Sequence, residues 1–284
     1  EKSLAAKPAA RSVAKPAQTA NTTPAAASGT AGAAAAARTG VAVRALDFAD
    51  QSTWSRALAG VDRVVLIVPD ALNDVGRTVI PFIDQAMEEA GVRQIVFLGS
   101  PGAPLDARSP TRLVERYLER TRAPHTILRP SILMQSLTTR FRDDIRTRGE
   151  IVVPAAGGTA PFVDADDVGR AVAAVLGEPG GEARHLGKTY TLAGEERFGF
   201  AQVAELLTAV LGRTIRYTAI GEGQYLELAA KQGVPAAEAQ ALAARYRRMR
   251  RSLPGLPSRG IRRLTGRPAT SLPDFVERHR QTWL

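Results

Sequence analysis

Acid–base work at a carbonyl is well served by a tyrosine with a lysine four residues on, because the ammonium lowers the phenol pKa. The chain carries no such pair: Tyr117 is followed by Thr121, Tyr225 by Ala229 and Tyr246 by Arg250. Beyond residue 38 the only lysines are Lys188 and Lys231. A catalytic residue is therefore not assignable from spacing. Three close carboxylates, Asp164, Asp166 and Asp167, have the type that holds a metal. They stand at the head of an apolar stripe, Val168, Val172, Val175 and Leu176, and read instead as a helix cap that complements the helix dipole. His125, His185 and His279 lie far apart without metal-ligand spacing. With no cysteine, disulfides, thiolate metal sites and a cysteine nucleophile are excluded.

The remaining chemistry is cationic. The net charge is +10, of which +8 comes from Arg245, Arg247, Arg248, Arg250, Arg251, Arg259, Arg262 and Arg263, with no acid among them. Another +4 lies in the first 38 residues, so the rest of the chain is nearly neutral. The run 245–263 reads as a solvated helix face and loop, with a phosphate-binding rim as the sharper alternative. No helix-turn-helix, zinc-finger or aromatic single-strand pattern accompanies it, so no nucleic-acid partner is expected. No apolar run is long enough to span a bilayer, so no membrane partner is expected and the location is read as cytoplasmic.

The elements that must position a site begin late. Residues 1–38 are rich in Ala, Pro and Thr with almost no large apolar side chain, and are expected to be a disordered tail. From residue 39 the pattern alternates. Val41, Val43 and Leu46 suggest a strand ending near Asp47. Asp50 and Ser52 start a helix through Trp54, Ala57 and Leu58. Arg63 to Val68 is a β-branched run expected of a strand buried on both faces. Val75, Val79, Ile83 and Met87 form a helix stripe stopped by Gly91. Val92 to Leu98 and Thr126 to Arg129 are further strands. Between them Leu113, Val114, Tyr117 and Leu118 give a helix its apolar face. Such alternation predicts an α/β fold with a parallel sheet and flanking helices over 39–193. Its strand ends, Asp47, Pro69, Ser100 and Pro130, should line one crevice. After Leu192 the pattern turns mainly helical, and 194–284 is expected to be a smaller lobe packed over that crevice.

The order of motifs resembles the NmrA-like family, an atypical branch of the short-chain dehydrogenase superfamily with a Rossmann-like fold. The resemblance runs from Gly40 to Leu284 through Leu46-Asp-Phe-Ala-Asp50, Val65-Leu-Ile-Val-Pro69, Val92 to Ser100, and Thr126-Ile-Leu-Arg-Pro130. It continues through Met134-Gln135, Pro161 to Asp167, Tyr190 to Gly194 and Thr265-Gly-Arg-Pro268. It implies NAD or NADP as cofactor, held by Asp47, Phe48, Pro69, Ser100 and Pro130, with Met134 and Gln135 bordering a substrate pocket. It also implies an oxidoreductase acting on a small carbonyl or quinone-like acceptor. A nonenzymatic NAD(P)-sensing regulator, or a cofactor-defective remnant, is the alternative. The family opens with a strand, a Gly-x-x-Gly-x-x-Gly turn, a helix and a second strand. No such turn occurs here, and Gly29-Thr-Ala-Gly32 lacks a preceding apolar strand. The sheet is therefore expected to be incomplete at its N-terminus. Dinucleotide binding should be weak, and copies could associate through the open edge. About forty residues precede Gly40, close to the length of the absent unit, as a reading-frame shift or a replacing linker would leave.

Overall fold

A computed structural model describes residues 43–68, 72, 74–177, 182–253 and 255–284. The expected tail 1–38, Val41 and Pro69 lie outside the described residues. In chain order the elements are α1 (Trp54–Leu58), β1 (Arg63–Ile67), α2 (Val79–Glu88), β2 (Gln94–Leu98), α3 (Pro110–Thr121) and β3 (His125–Pro130). Then come β4 (Ile132–Leu133), β5 (Glu150–Val153), β6 (Thr159–Ala160), β7 (Phe162–Val163), α4 (Ala165–Gly177), α5 (Glu182–His185), β8 (Lys188–Leu192) and β9 (Phe198–Gly199). The chain closes with α6 (Phe200–Leu211), β10 (Arg216–Ala219), α7 (Glu222–Lys231), α8 (Ala236–Arg250), α9 (Gly260–Thr265) and α10 (Leu272–Arg278).

Four strands pair in the order β1-β2-β3-β8, all parallel. Their carboxyl ends therefore share one edge, with Leu98 opposite Leu128 and Pro130 opposite Leu192. Alternation along β2 divides the core. Ile95 and Phe97 join Val79, Phe82, Val114 and Leu118 on one face of the sheet. Val96 joins Leu128, Val168, Ala171 and Val175 on the other. Phe97 and Ile127 are fully buried, each worth roughly 1.5–3 kcal/mol relative to exposure. A third core joins Met134 to Phe162 with Phe200, Leu207, Tyr246, Phe275 and Trp283, so the helical stretch after residue 194 shares its interior with the segment 134–162. There β5 pairs with β10 in parallel. Gly91 and Gly212, at φ 68° and 66°, follow α2 and α6 in the left-handed region, the first as the sequence predicts.

Three expectations are corrected. Residues 43–46 form no strand, and Asp47 and Asp50 make only an isolated bridge. Among the described residues no neighbouring strand lies there to pair with them. Instead Asp47 O accepts from Trp54 Nε1 at 2.8 Å and Arg44 Nη1 donates to the Ala57 and Ala59 carbonyls. The run Arg63 to Val68 is not buried on both faces: Val64 and Val65 are half-buried and Ile67 is 54% exposed. The cause is position, because among the described residues β1 pairs with β2 alone. On α3, Leu113 is exposed and Glu115 faces inward with Val114 and Leu118.

Gln94 is fully buried at the start of β2, and neither its amide nitrogen nor its oxygen has a hydrogen-bond partner. A desolvated, unpaired polar group costs about 1–3 kcal/mol. Gln94→Met should therefore raise the free energy of unfolding by about that amount in urea denaturation; a loss of stability would show that the amide is satisfied in solution.

The Tyr117 hydroxyl donates to Asp84, tying α3 to α2. That bond to a carboxylate, with desolvation second, pushes the phenol up to about 12. Unfolded, it ionises near about 10. Stability from this group is complete below pH ~10 and lost as pH rises towards ~12, because the unfolded chain releases its proton first. Tyr117→Phe should flatten the alkaline limb of the stability profile in that window; an unchanged limb would contradict the assignment.

Candidate functional site

The shared carboxyl edge of the sheet is built on a buried ion pair. Glu115, fully buried on α3, accepts from Arg129 Nε and Nη2, both at 2.8 Å, and from Arg112 Nη1 at 3.1 Å. Bidentate geometry of this kind fixes direction as well as distance. The carboxylate occupies space that only a glycine leaves, since a Cβ on Gly99 would collide with Glu115 Oε1. Gly99 N donates to Leu128 O at 2.8 Å. The pair therefore sits against Gly99, which follows β2, and beside Arg129-Pro130, the end of β3. Beyond Pro130, Ser131 N donates to Leu192 O at 2.8 Å, and the Ser131 hydroxyl is buried without a hydrogen-bond partner. A buried hydroxyl with no protein partner among the described residues is open to a water or a polar ligand group.

Of the residues singled out in the sequence, Pro130 ends β3 on this edge, and Ser100 lies in the loop two residues beyond the end of β2 rather than at the strand end expected. Asp47 sits in a turn, where its side chain accepts from Ala49 N at 2.8 Å. Phe48 is 5% exposed, and its ring packs edge-on against Phe82 at 5.3 Å, so it works as a core ring. Pro69 lies outside the described residues. Met134 lines a cleft of about 140 Å³ with Phe162, Glu195, Phe198, Pro268 and Thr270. Gln135 is held away from free chemistry: it donates to Asp164 Oδ1 at 2.6 Å and accepts from Ala165 N at 2.9 Å.

The aspartates at the head of α4 are tethers. Asp164 also accepts from Asp166 N at 3.0 Å and Arg278 at 3.3 Å, and Asp167 accepts from Thr270 N at 2.7 Å and from Arg170. They fasten the C-terminal segment 268–278 to the sheet domain. His125 lies at the opposite end of β3, its Nδ1 2.8 Å from Ala123 O. Burial pushes the phenols of Tyr225 and Tyr246 up, so both stay protonated near neutrality.

The helical stretch reaches the edge directly. A Cβ on Gly102 would meet Arg248 Nε at 3.1 Å, and one on Gly255 would meet Pro101 Cβ at 3.8 Å. Ser258 Oγ donates to Thr191 O at 2.8 Å, beside Arg129 in the sheet. The basic run is partly spent in pairs: Arg247 with Glu222, Arg262 with Glu195, and Arg263 over the Tyr190 ring at 6.0 Å. The sequence did not reveal Glu115 or Ser131. An arginine inside a buried strand was the available signal for the first, since it requires a counter-charge.

The NmrA-like family model matches residues 12–251, starting upstream of Gly40. Agroclavine dehydrogenase of Claviceps fusiformis is 30% identical over 85% of this chain and 84% of its own length. An NAD(P)H azoreductase of Xenophilus azovorans is 27% identical, covering 82% of this chain and 80% of its own. Among solved structures, an NADPH-dependent quinone oxidoreductase of Escherichia coli complexed with NADPH superposes with a TM-score of 0.74. It is 25% identical and covers 87% of each chain.

Proposed function

Because the chain belongs to the NmrA-like family, with its Rossmann-like fold, we propose that it is an NAD(P)-dependent oxidoreductase that reduces a small carbonyl, quinone-like or similarly conjugated acceptor. The observation that carries this reading is the convergence of Ser100, Pro130 and the partnerless Ser131 hydroxyl on one sheet edge, under the helical stretch. The residues fit the reduced end of a dinucleotide. Ser131 offers a hydroxyl to a carboxamide or ribose oxygen, and Pro130 and Ser100 form the floor against which a ring can lie. Asp47 and Pro69 are assigned to the adenosine and ribose side by family position. The cofactor, when bound, supplies a hydride: a C–H bond breaks with its electron pair, the acceptor is reduced by two electrons, and solvent supplies the matching proton. Direct transfer of this kind needs no tyrosine–lysine pair. The Glu115–Arg129 pair keeps the floor rigid.

In this reading 39–193 holds the cofactor and 194–284 supplies the acceptor side, in a cytoplasmic protein without a nucleic-acid partner. Among the described residues no helix is long and apolar enough to cross a membrane. Among the described residues β1 pairs with β2 alone, and its outer edge offers a route to a homo-oligomer. Ser131→Ala tests the placement. It should raise the KM for dinucleotide several-fold with the acceptor KM unchanged, whereas an unaltered dinucleotide KM would remove Ser131 from the site.

A further inference from the structure

Residues 255–259, the second half of the connection between α8 and α9, run by the sheet edge and are anchored at both ends. Arg197 donates to Gly255 O at 2.5 Å while also holding Thr159 through its hydroxyl and carbonyl. Ser258 N donates to Gly194 O at 3.2 Å, Ser258 Oγ to Thr191 O at 2.8 Å, and Gly260 N to Ser258 Oγ at 3.0 Å. Yet Leu256, within this tied segment, is 77% exposed. The anchors hold this apolar side chain at a fixed place on the surface beside the sheet edge. The segment lies against Pro101, one residue beyond Ser100. Charge identifies the kind of group that would cover Leu256. Arg250, Arg251 and Arg259 flank Leu256 in sequence, are exposed, and among the described residues show no ion pair or side-chain hydrogen bond.

We propose that residues 255–259 are the specificity element of the acceptor site, with Leu256 taking the apolar ring of an acceptor and Arg251 and Arg259 its anionic substituent, a sulfonate or carboxylate. Arg197 is the positioning residue of this element. The proposal rests on the oxidoreductase reading and adds the class of acceptor: a flat, apolar body bearing a negative group.

Equilibrium binding tests it on the full chain with two matched probes, 1,4-naphthoquinone and its 2-sulfonate. The sulfonate should bind more tightly at low salt and lose that advantage as salt is added. Leu256→Ser should weaken both probes about tenfold, the lower end of what burying a leucine contributes. Arg251→Ser with Arg259→Ser should abolish the preference for the sulfonate while leaving the neutral quinone unchanged. Arg197→Met should weaken both probes, and Arg197→Lys should restore part of the loss. These positions are exposed or at the surface, and a thermal melt checks that each variant stays folded. The proposal is overturned if neither probe binds, if Leu256→Ser leaves both affinities unchanged, or if that substitution alters only self-association. NADPH is titrated separately. Quinone binding that depends on Leu256 without any dinucleotide binding would sink the oxidoreductase reading and leave this element standing.

Discussion

Glu115→Ala is expected to destabilise the protein by about 3–5 kcal/mol, the cost of leaving one partner of a buried ion pair without its counter-charge. Arg129 would keep its charge at the sheet edge, with its side chain only 16% exposed. Gly99→Ala should act on the same contact from the other side, because a Cβ there forces the carboxylate out of its bidentate seat. The far end of a free glutamate could swing aside cheaply. This one is held by two arginines and has no solvent to move into. The two substitutions should therefore be strongly non-additive: in the Glu115→Ala background, Gly99→Ala should cost much less than in the parent chain. A double-mutant cycle by urea denaturation measures this. Equal costs for Gly99→Ala in both backgrounds would show that the collision is relieved elsewhere.

The second large effect concerns cofactor affinity. No Gly-x-x-Gly-x-x-Gly turn occurs anywhere in the 284 residues. Backbone N–H bonds to a charged pyrophosphate contribute roughly 1.5–3 kcal/mol each. Lacking two of them weakens binding about a hundredfold or more, since about 1.4 kcal/mol is a factor of ten. Grafting a strand–glycine turn–helix–strand unit ahead of Gly40 should recover that factor. It should also raise stability, because the new strand would cover the outer edge of β1, where Ile67 is 54% exposed. Calorimetry on the two chains compares them directly. Affinity in the parent equal to that of the grafted chain would mean that another element holds the phosphates, and the exposed arginines 250, 251 and 259 would be the first to replace.

Much of the sheet domain could be read from the sequence. The apolar runs of β2 and β3, the Val79–Ile83 part of the helix stripe and the glycine stop at 91 follow from local periodicity, which short-range sterics and burial impose, while Val75 lies in the turn before the helix. What depends on a distant partner was not legible. Residues 43–46 have strand chemistry, but a strand exists only where another pairs with it. Arg63 to Val68 has the composition of an interior strand and the exposure of an outer one, because its sequence does not encode what lies beside it. The two-residue strands β4 and β7 pair across thirty positions and leave no periodic trace. At the sheet edge, the position of Pro130 at the end of β3 was legible from the strand pattern, whereas β2 stops two residues short of Ser100. Ser131 and Glu115 were not legible, since a lone serine after a proline and a glutamate on an amphipathic helix are each ordinary until the burial of their oxygens is known.

Acceptor-dependent oxidation of NADH and NADPH by the 284-residue chain, followed by the loss of dihydronicotinamide absorbance with 1,4-naphthoquinone-2-sulfonate as acceptor, tests the central claim most directly. The account predicts oxidation that saturates with acceptor, rises with dinucleotide into a high KM range, and falls in the Ser131→Ala and Leu256→Ser chains through different KM values. Dinucleotide oxidation no faster than the uncatalysed reaction at any dinucleotide concentration would contradict it.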